Sequence, residues 1–135
     1  MPSAHLALAA AIAALALAAG GCGDDGEDRI EEPALRECLA AGDLQIEPPG
    51  ATPAGVALGN ASPDFSATTA GGAEVDAIVT GSDRAAERTA ADVRAALLGF
   101  GVADAEIVRE RNAVVVITGE ASADERGAIE DCLGD

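Results

Sequence analysis

The chain has 135 residues and a formal charge of −16, set by 24 acidic residues against eight basic ones, all of them arginine. That length fits one small domain, and that charge repels nucleic acid and anionic headgroups from the surface as a whole. With no Trp, no Tyr and only Phe65 and Phe100 as aromatics, the core must be built from Ala, Val, Leu and Ile. A thin core of this kind gains from a covalent staple.

Leu6–Ala19 is an unbroken apolar run. As a helix it would span about 21 Å, short of a hydrocarbon layer of about 30 Å. It fits the apolar core of an export signal. A membrane helix or an Ala-rich buried helix is the alternative, and the short length and abrupt Gly20-Gly21-Cys22 end oppose both. The stretch Leu17-Ala18-Ala19-Gly20-Gly21-Cys22 resembles the lipobox of bacterial lipoproteins, with Ala19 where that family usually carries Leu and with His5 as the only basic-type residue ahead of the run. The resemblance implies that residues 1–21 are a signal peptide cleaved at Gly21–Cys22. It further implies that Cys22 is lipidated and that the exported chain is anchored to the outer face of the cell membrane.

Residues 22–32 read as a flexible acidic tether, because Gly23-Asp24-Asp25-Gly26-Glu27-Asp28 has nothing to bury. Extended, the stretch from Cys22 to Glu32 reaches about 35 Å. Its carboxylates lack the ordered alternation and closing Glu of an EF-hand loop, so no metal site is read there.

Residues 33–135 form the folded part. A first helix starts near Pro33, a favoured first-turn residue, carries Leu35, Cys38 and Leu39 on one face, and stops at Gly42. The stretch from Glu47 to Pro63 holds four prolines and reads as loop, with Val56–Leu58 a candidate short edge strand. Phe65–Ala70 and Ala73–Thr80 form a hairpin about Gly71-Gly72, with Val75, Ala77 and Val79 on one face. Ser82 or Asp83 caps a second helix with an apolar stripe at Ala86, Ala90, Val93 and Leu97. Arg84, Arg88 and Arg94 lie off the stripe. Gly99 ends the helix, and Phe100 and Val102 are expected to dock the exit loop on the core.

Glu106–Glu110 and Ala113–Thr118 form a second hairpin about Arg111-Asn112. Ala113–Ile117 is apolar on both faces, which makes that strand central. Ser122-Ala123-Asp124-Glu125 is a capping box for a last helix bearing Ile129, Cys132 and Leu133. The expectation is an α+β fold in the order α-β-β-α-β-β-α, an antiparallel sheet with helices on one face.

Lipidation of Cys22 would leave Cys38 and Cys132, each on the apolar face of a terminal helix. In an oxidising compartment such a pair forms a disulfide. Closing about 95 residues contributes roughly 4–5 kcal/mol in the chain-entropy model. Two reduced, buried cysteines are the alternative reading. The sole His is His5 and there is no Lys. A mature chain lacking both has no Ser-His-Asp or Cys-His triad, no Schiff-base amine and no common zinc ligand.

Asp124/Glu125 and Glu130/Asp131 are sequence neighbours on one helix, not a pair straddling a cleft. Arg109 and Arg111 share a strand face by parity, as a candidate anion pair or, more simply, a salt-bridged surface. Asn60-Ala61-Ser62 reads as loop. The reading is a non-enzymatic envelope lipoprotein without cofactor, contacting the membrane through Cys22, with other envelope proteins as candidate partners. A solute- or cation-binding lipoprotein is the alternative.

Overall fold

The computed structural model describes residues 29–49 and 62–134. The signal segment, Cys22, the tether up to residue 28, Val56–Leu58, and Asn60 and Ala61 of the Asn60-Ala61-Ser62 motif lie outside them. Three helices and a five-stranded antiparallel sheet make a mixed α+β domain. The elements are α1 (Glu32–Ala41), β1 (Gln45–Glu47), β2 (Phe65–Thr68), β3 (Glu74–Val79), α2 (Asp83–Gly99), β4 (Ala105–Glu110), β5 (Ala113–Thr118) and α3 (Ala123–Gly134). The sheet order is β1-β2-β3-β5-β4.

The α+β class and the helix–strand–helix–strand–helix order stand, with two corrections. The first is an added edge strand. Gln45-Ile46-Glu47 pairs antiparallel with Thr68-Ala67-Ser66, where the proline-rich composition just beyond suggests loop. Three residues with one apolar side chain carry too little alternation to mark a strand.

The second correction concerns the layers. The helices cover both faces of the sheet, not one. On one face Phe65, Ala67, Val75, Ala77, Ala113, Val115 and Ile117 pack with Leu35 and Leu39 of α1 and Ile129 and Leu133 of α3. On the other, Ile78, Val114 and Val116 pack with Ala86, Ala90, Val93 and Leu97 of α2. The cause lies in β5. Successive strand side chains point to opposite faces, and every residue from Ala113 to Ile117 is buried. Such a strand needs an apolar layer above and another below.

Local chemistry sets the element ends. Pro33 opens α1 and Gly42 closes it. Ser82 Oγ accepts from the Ala85 N–H at 3.1 Å, which makes Ser82 the cap of α2. At the other end the Val102 N–H donates to the Leu97 carbonyl and the Gly101 N–H to the Leu98 carbonyl. The helix ends at Gly99 as expected, and this Schellman arrangement puts Gly101, at φ +71°, in the left-handed position just past it. In the β2–β3 turn the Gly72 N–H donates to the Thr69 carbonyl, which brackets Ala70 and Gly71, and Gly72 takes φ +91°.

Val102 docks on the core beside α2. Phe100 does not: it is 67% exposed and Leu98 is 73% exposed. The Schellman turn projects residue 100 outward while returning residue 102 to the sheet. Among the described residues the only ring in the core is therefore Phe65, with the Arg36 guanidinium 5.2 Å from its centroid.

Truncation tests the two-layer reading. Val114→Ala and Val115→Ala remove the same atoms from opposite faces, and each is expected to cost about 2 kcal/mol or more. Urea denaturation of the two variants measures this. A near-neutral Val114→Ala would mean that only the α1/α3 face is a true core.

Candidate functional site

The described chain begins at one end of the sheet, and Asn112 secures it there. Arg111, at φ +51°, and Asn112 turn β4 into β5. Asn112 is buried, and its amide is satisfied on both sides. Its Oδ1 accepts from the Ile30 N–H at 2.7 Å, and its Nδ2 donates to the carbonyls of Ile30 and Thr80, each at 2.9 Å. The Thr80 hydroxyl lies within hydrogen-bond reach of the Asn112 and Ser82 carbonyls, at 2.7 and 2.8 Å, and shares its one proton between them. Residue 30 is thus stitched to the β4–β5 turn and, through Thr80, to the start of α2. The Ile30 side chain joins the core on the α1/α3 face.

Arg111 and Arg109 do not share a site. Arg111 donates to the Leu133 carbonyl at the C-terminal end of α3 at 2.6 Å, a favourable place for a cation. Arg109 pairs with Asp83 at the start of α2, also at 2.6 Å. The strand parity that groups them ends at residue 110, where the turn begins.

Cys38 and Cys132 are joined in a disulfide that links α1 to α3, with Cα atoms 5.7 Å apart. The closed loop spans 94 positions, which stabilises the folded state by roughly 4–5 kcal/mol on the chain-entropy account. A small groove lined by Arg29, Ala34 and Leu35 runs beside it.

Glu125 ties α3 to the sheet. It completes the capping box, with its N–H donating to Ser122 Oγ at 3.1 Å and its carboxylate accepting from the Ser122 N–H. The same carboxylate accepts from the Gly71 N–H at 3.0 Å. The Thr69 hydroxyl, followed by these two backbone donors, holds its pKa below the ordinary value of 4.5. A Cβ on Gly71 would stand 2.9 Å from Glu125 Oε1, so the carboxylate at the end of that side chain would have to shift to admit one.

One polar group sits where the sheet is otherwise apolar. Asp76, in the middle of β3, is fully buried, and Ser66 Oγ donates to its Oδ1 at 2.6 Å. They sit in register on the α2 face of the sheet, next to the Glu47 position of β1. The signal is present in the sequence: an acid between Val75 and Ala77 contradicts the strand's apolar pattern. Neither side chain is accessible, so the Ser–Asp pair offers no surface to a solute. Among the described residues no group of three or more His, Cys, Asp or Glu is placed to hold a metal ion. None of their helices is long and apolar enough to cross a membrane.

The outer face of α2 differs from the rest of the surface. Arg84, Arg88, Ala91, Ala95 and Leu98 follow the i, i+4, i+7, i+11, i+14 spacing of one exposed ridge. Beside its C-terminal end lies an open notch lined by Arg94, Leu97, Leu98, Val102, Ala105 and Ile107. No protein-family model, curated protein or solved structure matches the chain.

Two measurements address these groups. Glu125 is ionised more readily in the folded than in the unfolded state, so its contribution is present above about pH 4.5 and is lost as pH falls through the lower folded-state value. Glu125→Gln should therefore flatten the acid limb of stability against pH below 4.5; an unchanged limb would show that other carboxylates govern it. Asn112→Ala leaves one N–H and two carbonyls without this partner and should cost about 1–3 kcal/mol. Amide exchange at Ile30 should accelerate more than exchange at Val115, which a uniform loss of stability would not produce.

Proposed function

We propose that the chain is a membrane-anchored envelope lipoprotein, held by lipid on Cys22, whose domain is a non-enzymatic interaction module. The observation that carries this reading is the Cys38–Cys132 disulfide. A disulfide of this kind belongs to an oxidising compartment, which agrees with export. It also pairs two of the three cysteines and leaves Cys22, at the end of the lipobox-like stretch, as the odd thiol.

The geometry around residue 30 supports the same reading. A chain that hangs from its N-terminal side needs a firm first point of attachment, and the Asn112 clamp supplies one with two buried hydrogen bonds to the Ile30 backbone and a third to the Thr80 carbonyl. The lack of His and Lys beyond residue 5 and the inaccessible Ser66–Asp76 pair favour contact over catalysis.

Expression in a bacterial host with membrane flotation and labelled fatty acid tests the anchor. The wild-type chain should float with membranes and take up label, and Cys22→Ala should do neither. A Cys22→Ala chain that still floats in full would sink the lipid mechanism.

A further inference from the structure

The sequence places 19 of its acidic residues in the described segments, together with all eight arginines. Most of those arginines are engaged. Arg29 pairs with Glu31, Arg36 with Glu32, Arg109 with Asp83 and Arg126 with Glu106, and Arg111 holds the Leu133 carbonyl. Arg84, Arg88 and Arg94 make no such pair among the described residues, and all three are exposed on α2. The two large exposed apolar side chains, Leu98 and Phe100, stand at the C-terminal end of that same helix. One helix therefore presents both the uncommitted cations and the exposed apolar groups.

The opposite layer is built differently. Helices α1 and α3 together carry six acids against two arginines, both of which are paired; α2 carries three acids, Asp83, Glu87 and Asp92, against three arginines. Of those three acids, Asp83 is drawn to Arg109. Against a layer of phosphates the acidic face is repelled and the α2 face is not.

We infer that the outer face of α2, with Leu98 and Phe100 at its end, lies against the phospholipid headgroups of the membrane that carries the chain; this rests on the lipid-anchor reading above. The attachment geometry allows it. From Cys22 to Arg29 the chain spans at most about 25 Å, and α2, at 17 residues, is itself about 25 Å long. The chain enters the fold at Ile30, which shares Asn112 with Thr80, just ahead of α2. The N-terminal end of α2 thus lies near Ile30, where the tether joins the fold, and the helix can rest along the surface. Arg84 and Arg88 then meet phosphates near the tether. Leu98 and Phe100 enter the interface at the far end, at the depth of about 5–10 Å typical of amphipathic helices.

The absence of Trp provides the test. Phe100→Trp and, on the exposed side of α1, Ala40→Trp each give the lipid-modified full-length product a single indole reporter at an exposed site. Both are reconstituted into phosphatidylcholine vesicles with a minority of phosphatidylglycerol, with and without brominated acyl chains, and recovered by flotation. The expected result for Phe100→Trp is blue-shifted emission that loses at least about half of its intensity to bromine, while the emission of Ala40→Trp is unaffected. Arg84→Glu combined with Arg88→Glu should reverse most of that quenching without preventing flotation. Floated protein in which the two reporters are equally unquenched would overturn the docking alone. Failure to float would overturn the anchor and the docking with it. A reporter at position 100 shielded only in native membranes, and not in protein-free vesicles, would assign the face to a protein and overturn the lipid contact.

Discussion

The fold depends on one constraint: β5 has no polar face. Ala113, Val115 and Ile117 point one way, and Val114 and Val116 the other, all buried. A strand of this kind in an antiparallel sheet forces a three-layer arrangement. The small side chains make it possible without aromatic volume. Ala86 and Ala90 let α2 approach one side, and Ala67, Ala77 and Ala113 floor the other beneath α1 and α3. With Phe65 as the only core ring among the described residues, each layer is thin. The α1/α3 layer shows the consequence: α1 offers two buried leucines over ten residues, and the disulfide adds a covalent hold to that packing.

Most of this is legible in the residues, because local signals are strong where pattern and punctuation coincide. The α2 stripe, the Ser122–Glu125 box, both hairpins and the cysteine pair all declare themselves by spacing. The number of helical layers is harder to extract, although β5 already implies it: two-faced apolarity marks a central position, and it equally demands cover on both sides. Phe100 defeats a reading by hydrophobicity alone, because the Schellman turn at Gly101 decides where residue 100 points. The grouping of Arg109 with Arg111 fails because alternation holds only within a strand. Asn112 is visible as a turn residue, but its clamp on Ile30 crosses 82 positions, and no local pattern reports a contact at that range.

The two layers are held in different ways. The α1/α3 layer is locked by a covalent bond and by Glu125, which binds the α3 cap to the β2–β3 turn. The α2 layer is held by apolar packing, the Arg109–Asp83 pair at its start and the Schellman turn at its end. Asn112 lies at the seam. It touches the chain leading into α1 through Ile30 and the chain leading into α2 through Thr80.

On the proposed lipid-anchor reading the chain is suspended from its N-terminal side, and this arrangement would bear the load. Tension arriving at residue 29 would be opposed first by the two hydrogen bonds between Ile30 and Asn112, and would then enter α1. A ten-residue helix lying on a sheet could peel away turn by turn, beginning at Pro33. Cys38 interrupts that path midway and passes the load to α3, which Arg111 fixes at its C-terminal end and Glu125 at its start. The staple would therefore halt the opening of a tethered domain partway along α1, leaving only the Asn112–Thr80 bond to pass load toward α2. On the proposed reading, α2 meets the surface while the opposite layer bears most of the pull of the anchor.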